Sequence, residues 1–137
     1  AYADRIFKSV EGVNRAVWNL GGNPPREFKL LPAGVGKERL DLLREADAVV
    51  MDALRAAGLY AEIWQCPTVS APLAIDGEGS ELVIVRPVLS DRAMTAAPAE
   101  LPAAVLRELS DKLGALPGVA GVCLDITSKP PGTIEWE

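Results

Sequence analysis

The stretch Lys37–Gly58, KERLDLLREADAVVMDALRAAG, decides the reading of the fold. Asp41, Arg44, Glu45, Asp52 and Arg55 fall on one side of a helix and Leu40, Leu43, Val50 and Leu54 on the other, which is the 3.6-residue period of an amphipathic helix. Gly58, without a Cβ, suits the left-handed conformation at which helices stop. A helix of about 20 residues with a single apolar stripe must bury that stripe against another layer, so it lies across a sheet.

The strands for that sheet follow at once. Ile63–Ile75 and Leu82–Leu89 are rich in β-branched residues and are separated by Asp76-Gly77-Glu78-Gly79-Ser80, which reads as a hairpin loop of about five residues. Pro67 and Pro72 confine the first run to a sheet edge or bulge it. Pro102 opens a second helix to about Leu113, with Leu106, Leu109 and Leu113 on one stripe and Gly114 and Pro117 at its end. Val122–Ile126 is the last strand. Upstream of Lys37, Glu27–Leu31 reads as a short strand, Arg15–Leu20 as another, and Ala3–Val10 as a short helix. The expected architecture is an α+β two-layer sandwich: a βαββαβ sheet over residues 26–137 with helices on one face, plus an N-terminal helix-strand extension over residues 1–25.

That extension resembles a later part of the chain at an offset of 106 residues. Gly12-Val13 matches Gly118-Val119, Pro24-Pro25 matches Pro130-Pro131, and Phe7 and Val10 align with Leu113 and Leu116. Residues 1–25 thus read as a degenerate repeat of 107–131, or as two helix-to-strand units that independently use the same turn chemistry.

Composition removes several function classes. With 49% hydrophobic and 24% charged residues among 137, the chain can bury a core of its own. A net charge of -5 without a Lys/Arg cluster excludes a phosphate-tracking stripe, hence a nucleic-acid role. No apolar run approaches the roughly 20 residues of a bilayer span, and charges interrupt Ala1–Val10 where a signal peptide would be apolar. A cytoplasmic protein is expected. The first residue, Ala1, is not a methionine, so the chain is either processed or cut from something longer. Cys66 and Cys123 lack CxxC spacing and read as reduced thiols, without a zinc site or disulfide. There is no histidine, which removes Ser-His-Asp and Cys-His catalysis. Asp125 and Glu135 have no spacing that marks acid-base work, and Cys66 has no base beside it, so no catalytic residue is assigned.

The last nine residues, Lys129-Pro130-Pro131-Gly132-Thr133-Ile134-Glu135-Trp136-Glu137, carry an ammonium, a hydroxyl, carboxylates and an indole. Two prolines predict an extended, preordered path. The segment is either built for recognition or a terminal strand pinned by Ile134 and Trp136 with its charges solvated.

This tail closely resembles the Lys-Pro-Pro-Ala-Thr-Ile-Glu-Trp-Glu ending of the C-terminal dimerisation domain of glutamine-hydrolysing GMP synthetases. The resemblance runs from about Leu30 to Glu137, through Lys37-Glu38-Arg39-Leu40, Arg44-Glu45-Ala46-Asp47-Ala48, Gly58-Leu59-Tyr60, Gln65 with Thr68-Val69, Arg86, Met94-Thr95-Ala96 and Asp125-Ile126. It implies a homodimer that helps hold xanthosine monophosphate (XMP). Lys129 matches a phosphate-contacting lysine, Gln65 a glutamine at the nucleotide site, and Ile134 and Glu135 the tail positions that address the nucleotide. Arg86, Pro130, Pro131, Thr133 and Trp136 match residues that support the tail or the dimer interface. ATP and Mg would belong to a separate or upstream ATP-pyrophosphatase domain, since no Ser-Gly-Gly-Val-Asp-Ser loop is present, and glutamine hydrolysis to a glutaminase domain, since its triad needs a histidine. No cofactor and no metal is expected in this chain, which should not make GMP alone.

Departures from the family pattern are equally specific. The family's arginine eight residues before the tail lysine is Gly121 here, and its Gly-rich segment is replaced by Asn23-Pro24-Pro25-Arg26-Glu27. In the 106-residue repeat, Arg15 occupies the missing arginine's position and Asn23 that of the lysine. These departures imply the alternative of a self-associating module that has lost nucleotide binding.

Overall fold

The structure is a computed structural model, and it describes residues 2–136. Ala1 and Glu137, the last residue of the expected tail, lie outside the described residues. In chain order the elements are α1 (Tyr2–Ser9), β1 (Val17–Asn19), β2 (Phe28–Leu30), α2 (Lys37–Ala56), β3 (Thr68–Ala71), β4 (Leu73–Ile75), β5 (Glu81–Val85), β6 (Val88–Leu89), β7 (Ala97–Pro98), α3 (Ala103–Gly114) and β8 (Val119–Asp125).

Four strands form the main sheet in the order β1-β8-β5-β3. β5 and β8 run parallel, joined by the α3 crossover, while β3 pairs antiparallel with β5 and β1 antiparallel with β8. Helices α2 and α3 cover one face. Ala46, Val50, Ala53 and Leu54 of α2 meet Val105, Leu109 and Leu113 of α3 over Val83, Val85, Val122 and Leu124 of the sheet. Leu54, Leu109 and Leu113 are essentially fully buried, each contributing roughly 2 kcal/mol by leaving water. On the opposite face Leu82, Ile84 and Cys123 pack against Leu73, Ile75 and Trp136. The fold class read from the sequence is therefore the observed one, an α+β sandwich.

The membership of the sheet differs from the expectation. Glu27–Leu31 does not enter it: β2 instead pairs with β4 in a separate two-stranded ribbon, Phe28 opposite Ile75 and Leu30 opposite Leu73. Pro72 explains this. The run from Thr68 stays beside β5 only as far as Ala71, and beyond Pro72, which has no N–H to give, it turns away to β2. The Pro72 carbonyl accepts from Leu31 at 2.8 Å, closing that ribbon. The fourth strand of the main sheet comes instead from the N-terminal extension, as β1. Leu82–Leu89 is likewise two strands, because Arg86-Pro87 leads from β5 to a small β6–β7 pair. The hairpin connection is longer than expected: β3 and β5 pair only as far as Ala71 opposite Leu82, and the residues between them include β4 and a two-residue turn at Asp76 and Gly77, at φ +52° and +79°, closed by Ile75 and Glu78. Leu40, expected on the buried stripe of α2, is exposed; in that turn it is Arg39 that reaches the sheet, pairing with Glu81 of β5.

Gly79 sets how closely β5 and β8 begin. A Cβ there would lie 2.5 Å from the Ala120 Cα, at a backbone φ of +70°, so only glycine allows the approach.

Candidate functional site

The tail is not extended. Both the Lys129–Pro130 and Pro130–Pro131 peptide bonds are cis, the Ser128 hydroxyl donates to the Pro130 carbonyl at 3.0 Å, and the Gly132 N–H donates to the Ser128 carbonyl at 3.1 Å. The chain therefore folds back, and Thr133–Trp136 lies against the end of the main sheet.

Arg86 and Asp125, at the ends of the parallel neighbours β5 and β8, organise this return. Arg86 Nη1 meets Asp125 Oδ1 at 2.9 Å, and both side chains are fully buried. The same guanidinium donates to the carbonyls of Ile134 (Nε, 2.8 Å), Thr127 (Nη1, 3.0 Å) and Thr133 (Nη2, 2.8 Å). Burial pushes its pKa below the ordinary arginine value while the Asp125 carboxylate pulls it up. Asp125 also accepts from the Thr127 N–H at 2.8 Å and from the Trp136 indole N–H at 2.7 Å. Among the described residues no buried side-chain nitrogen or oxygen lacks a hydrogen-bond partner, which is what makes a buried ion pair tolerable.

A second arginine reaches the tail from the N-terminal extension. Arg15 Nη1 donates to the Thr133 carbonyl at 2.8 Å, and Nη2 donates to the Thr133 hydroxyl at 2.8 Å and to the Glu135 carbonyl. Its guanidinium lies 5.2 Å from the centre of the Trp136 ring and 3.4 Å from Asp125 Oδ2. Sequence reasoning assigned Arg15 only by the 106-residue offset. Thr127, fully buried, was not singled out at all; its hydroxyl accepts from the Ala16 N–H at 2.9 Å and so fastens the extension beside β8.

The returning tail forms one wall of a cleft of ≈ 480 Å³, lined by Asp47, Met51, Tyr60, Trp64, Gln65, Cys66 and Glu135 among others. Two of the four nucleotide positions implied by the resemblance, Gln65 and Glu135, are brought together here. Ile134 is buried against Val88 and Ala96. Those two residues form β-bridges with Gln65 and Lys129 respectively, so all four belong to one patch. Lys129 does not line the cleft; its ammonium donates to the Ala93 carbonyl at 2.7 Å. Arg86, Thr133 and Trp136 hold the tail, while Pro130 and Pro131 are exposed at its turn.

Chemically the cleft offers an amide, two carboxylates and two partly exposed aromatic faces, Tyr60 and Trp64, and among the described residues no lysine or arginine lines it. This suits a flat, hydrogen-bonding ring better than a bare phosphate. Cys66 is a poor nucleophile, because burial, with Asp47 close by, pushes its thiol up to about 12. Among the described residues no group of three or more His, Cys, Asp or Glu is placed to hold a metal ion. No helix of those residues is long and apolar enough to cross a membrane.

The family model for the GMP synthase C terminal domain matches residues 52–136, more than half of the chain. The glutamine-hydrolyzing GMP synthases of Leifsonia xyli subsp. xyli and Streptomyces coelicolor are each 49% identical over 111 residues, which cover 75% of this chain and 22% and 21% of those proteins. That of Heliobacterium modesticaldum is 45% identical over 111 residues, again 75% of this chain and 22% of the relative. The chain thus spans about a fifth of the length of the curated relatives it matches. With the family model covering most of it, including the buried Arg86–Asp125 pair and the tail those residues hold, the chain belongs to the GMP synthase C-terminal domain family.

Proposed function

We propose that this chain serves GMP biosynthesis by holding XMP at the patch formed by Gln65, Ile134, Glu135 and Lys129, while ATP, Mg and glutamine are handled by domains outside it. The observation that carries this reading is the cleft shared by Gln65 and Glu135, two positions 70 residues apart in sequence. The Gln65 amide and the Glu135 carboxylate can pair with the donors and acceptors of a purine or ribose, and Tyr60 and Trp64 can take its flat face. The phosphate end falls to Lys129, which must exchange the neutral Ala93 carbonyl for a charged, stronger acceptor. In this reading the chain orients the nucleotide and leaves the chemistry to an ATP-using partner domain. Free thiols at Cys66 and Cys123 suit the cytoplasm.

Calorimetry with XMP tests this. The reading predicts saturable heat at one nucleotide per chain, weakened by Glu135→Ala; no heat at millimolar XMP with the protein folded contradicts it. Gly121 and the occupied Lys129 ammonium favour a second reading, a diverged self-associating interaction module without nucleotide binding, and that reading predicts the silent titration.

A further inference from the structure

Lys129 is fastened to a single turn of the chain. Its N–H donates to the Ala96 carbonyl at 2.8 Å and its carbonyl accepts from the Ala96 N–H at 3.2 Å, while its ammonium donates to the Ala93 carbonyl at 2.7 Å. The turn, residues 90–95 between β6 and β7, is itself held from within. The Ser90 hydroxyl accepts from the Ala93 N–H at 2.9 Å and donates to the Thr95 carbonyl at 2.6 Å. Ala93 sits at φ +58°, a left-handed conformation that a residue with a Cβ adopts only at a cost, and Ser90 keeps it there.

A phosphate monoester carries about 1.5 to 2 negative charges near pH 7, more than one ammonium balances. The other arginines near the tail are already committed. Arg86 is buried against Asp125 and three carbonyls, and Arg15 is spread over Thr133, Glu135 and Asp125. The cleft itself brings two carboxylates, Asp47 and Glu135. Arg92 differs from these arginines: it is exposed, and among the described residues its guanidinium has no hydrogen-bond or ion-pair partner. It directly precedes Ala93, whose carbonyl holds the Lys129 ammonium. Consecutive Cα atoms lie about 3.8 Å apart, so an anion at that ammonium is within reach of an arginine side chain at 92. The same turn walls a hollow of ≈ 640 Å³, with Arg92, Met94, Thr95 and Ala96 in its lining. Asp91 lines it as well, its charge screened by the solvent to which it is exposed.

We propose that Arg92 is a second phosphate contact of this chain: its guanidinium and the Lys129 ammonium close on one phosphate monoester, and Ser90, by fixing the 90–95 turn, sets the spacing between them. A planar fork of donors beside a compact point charge matches the several oxygens of a phosphate. The nucleoside end stays with Gln65 and Glu135 in the cleft. The assignment deepens the reading of Lys129 as the phosphate contact and rests on it.

The test titrates inorganic phosphate, XMP and xanthosine, which lacks the phosphate, into the isotopically labelled full chain, followed in amide spectra. Inorganic phosphate should give saturable shifts at Arg92, Ala93 and Lys129. Arg92→Gln, an exposed change that leaves the urea midpoint where it was, should weaken phosphate about fivefold and XMP about tenfold without changing xanthosine. Arg92→Lys should recover part of the loss, and Arg107→Gln, which removes an exposed charge from α3, should change nothing. Phosphate that leaves these three amides unmoved would overturn the proposal, as would equal weakening by Arg92→Gln and Arg107→Gln. Phosphate bound through Arg92, with XMP held no more tightly than phosphate, supports the anion site and overturns the nucleotide reading alone.

Discussion

Arg86 and Asp125 meet at 2.9 Å beneath the tail, each fully buried and each also bonded to the segment that folds back over them. The pair is the joint between the parallel core of the sheet and the tail. Removing one partner leaves the other charge buried and unmatched, which costs about 3–5 kcal/mol, whereas removing both is far cheaper. Arg86→Met and Asp125→Leu should each lower the unfolding free energy by about that much, and the double variant by clearly less than their sum. Urea denaturation measures this; additive losses would show that the two residues act independently.

Arg15 predicts a separate effect on the tail alone. Arg15→Ala removes the three hydrogen bonds to Thr133 and Glu135 and the contact with the Trp136 ring, at a cost of about 1–2 kcal/mol. Backbone NMR relaxation should show Thr133–Glu135 gaining motion while α2 and α3 stay unchanged. Arg15→Lys keeps the charge but loses the planar fork, and should recover only part of the order.

The thiols give the pH dependence. Burial pushes Cys66 up to about 12 and Cys123 up to about 11, above the range of an unfolded cysteine. A folded value above the unfolded one means the proton is held more tightly in the native state. That contribution is complete below about pH 8.5 and is lost as the pH rises through the folded values. Stability should fall from pH 9 towards 12, less steeply in Cys66→Ala, and iodoacetamide at pH 8 should label the native protein far more slowly than the urea-unfolded one. Equal labelling rates would contradict the burial of these thiols.

Gln65 and Glu135 are exposed, so their substitution should separate binding from stability. Gln65→Ala and Glu135→Ala should leave the unfolding free energy within about 0.5 kcal/mol of the parent. Each should weaken XMP roughly tenfold, which corresponds to about 1.4 kcal/mol. Loss of stability without loss of affinity would reassign both to packing.

What could be read from the sequence followed the range of the forces. The helix over Lys37–Ala56 was legible because its own period separates Val50 and Leu54 from Asp52 and Arg55, and α3 because Pro102 and Gly114 punctuate a leucine stripe. Pairings made across the chain were not. The ribbon of Phe28–Leu30 with Leu73–Ile75 depends on where Pro72 ejects a strand, and nothing local to Glu27–Leu31 distinguishes it from a strand of the main sheet. The tail's chemistry was legible by resemblance, and its two prolines were read as an extended path. Its backward turn, however, follows from the cradle of Arg86 and Arg15, whose partners in the tail lie 47 to 120 residues away. The cleft's aromatic wall, Tyr60 and Trp64, carried no periodic signal because both sit in the turns after α2.

The most direct test of the nucleotide reading is a titration of the isotopically labelled full chain with XMP, followed in amide NMR spectra. The account predicts saturable shifts at Gln65, Ile134, Glu135 and Lys129 and around the cleft at Trp64 and Cys66, with the far ribbon of Phe28–Leu30 and Leu73–Ile75 unmoved. A folded spectrum that does not change at millimolar XMP, or shifts confined to residues outside that patch, would contradict it.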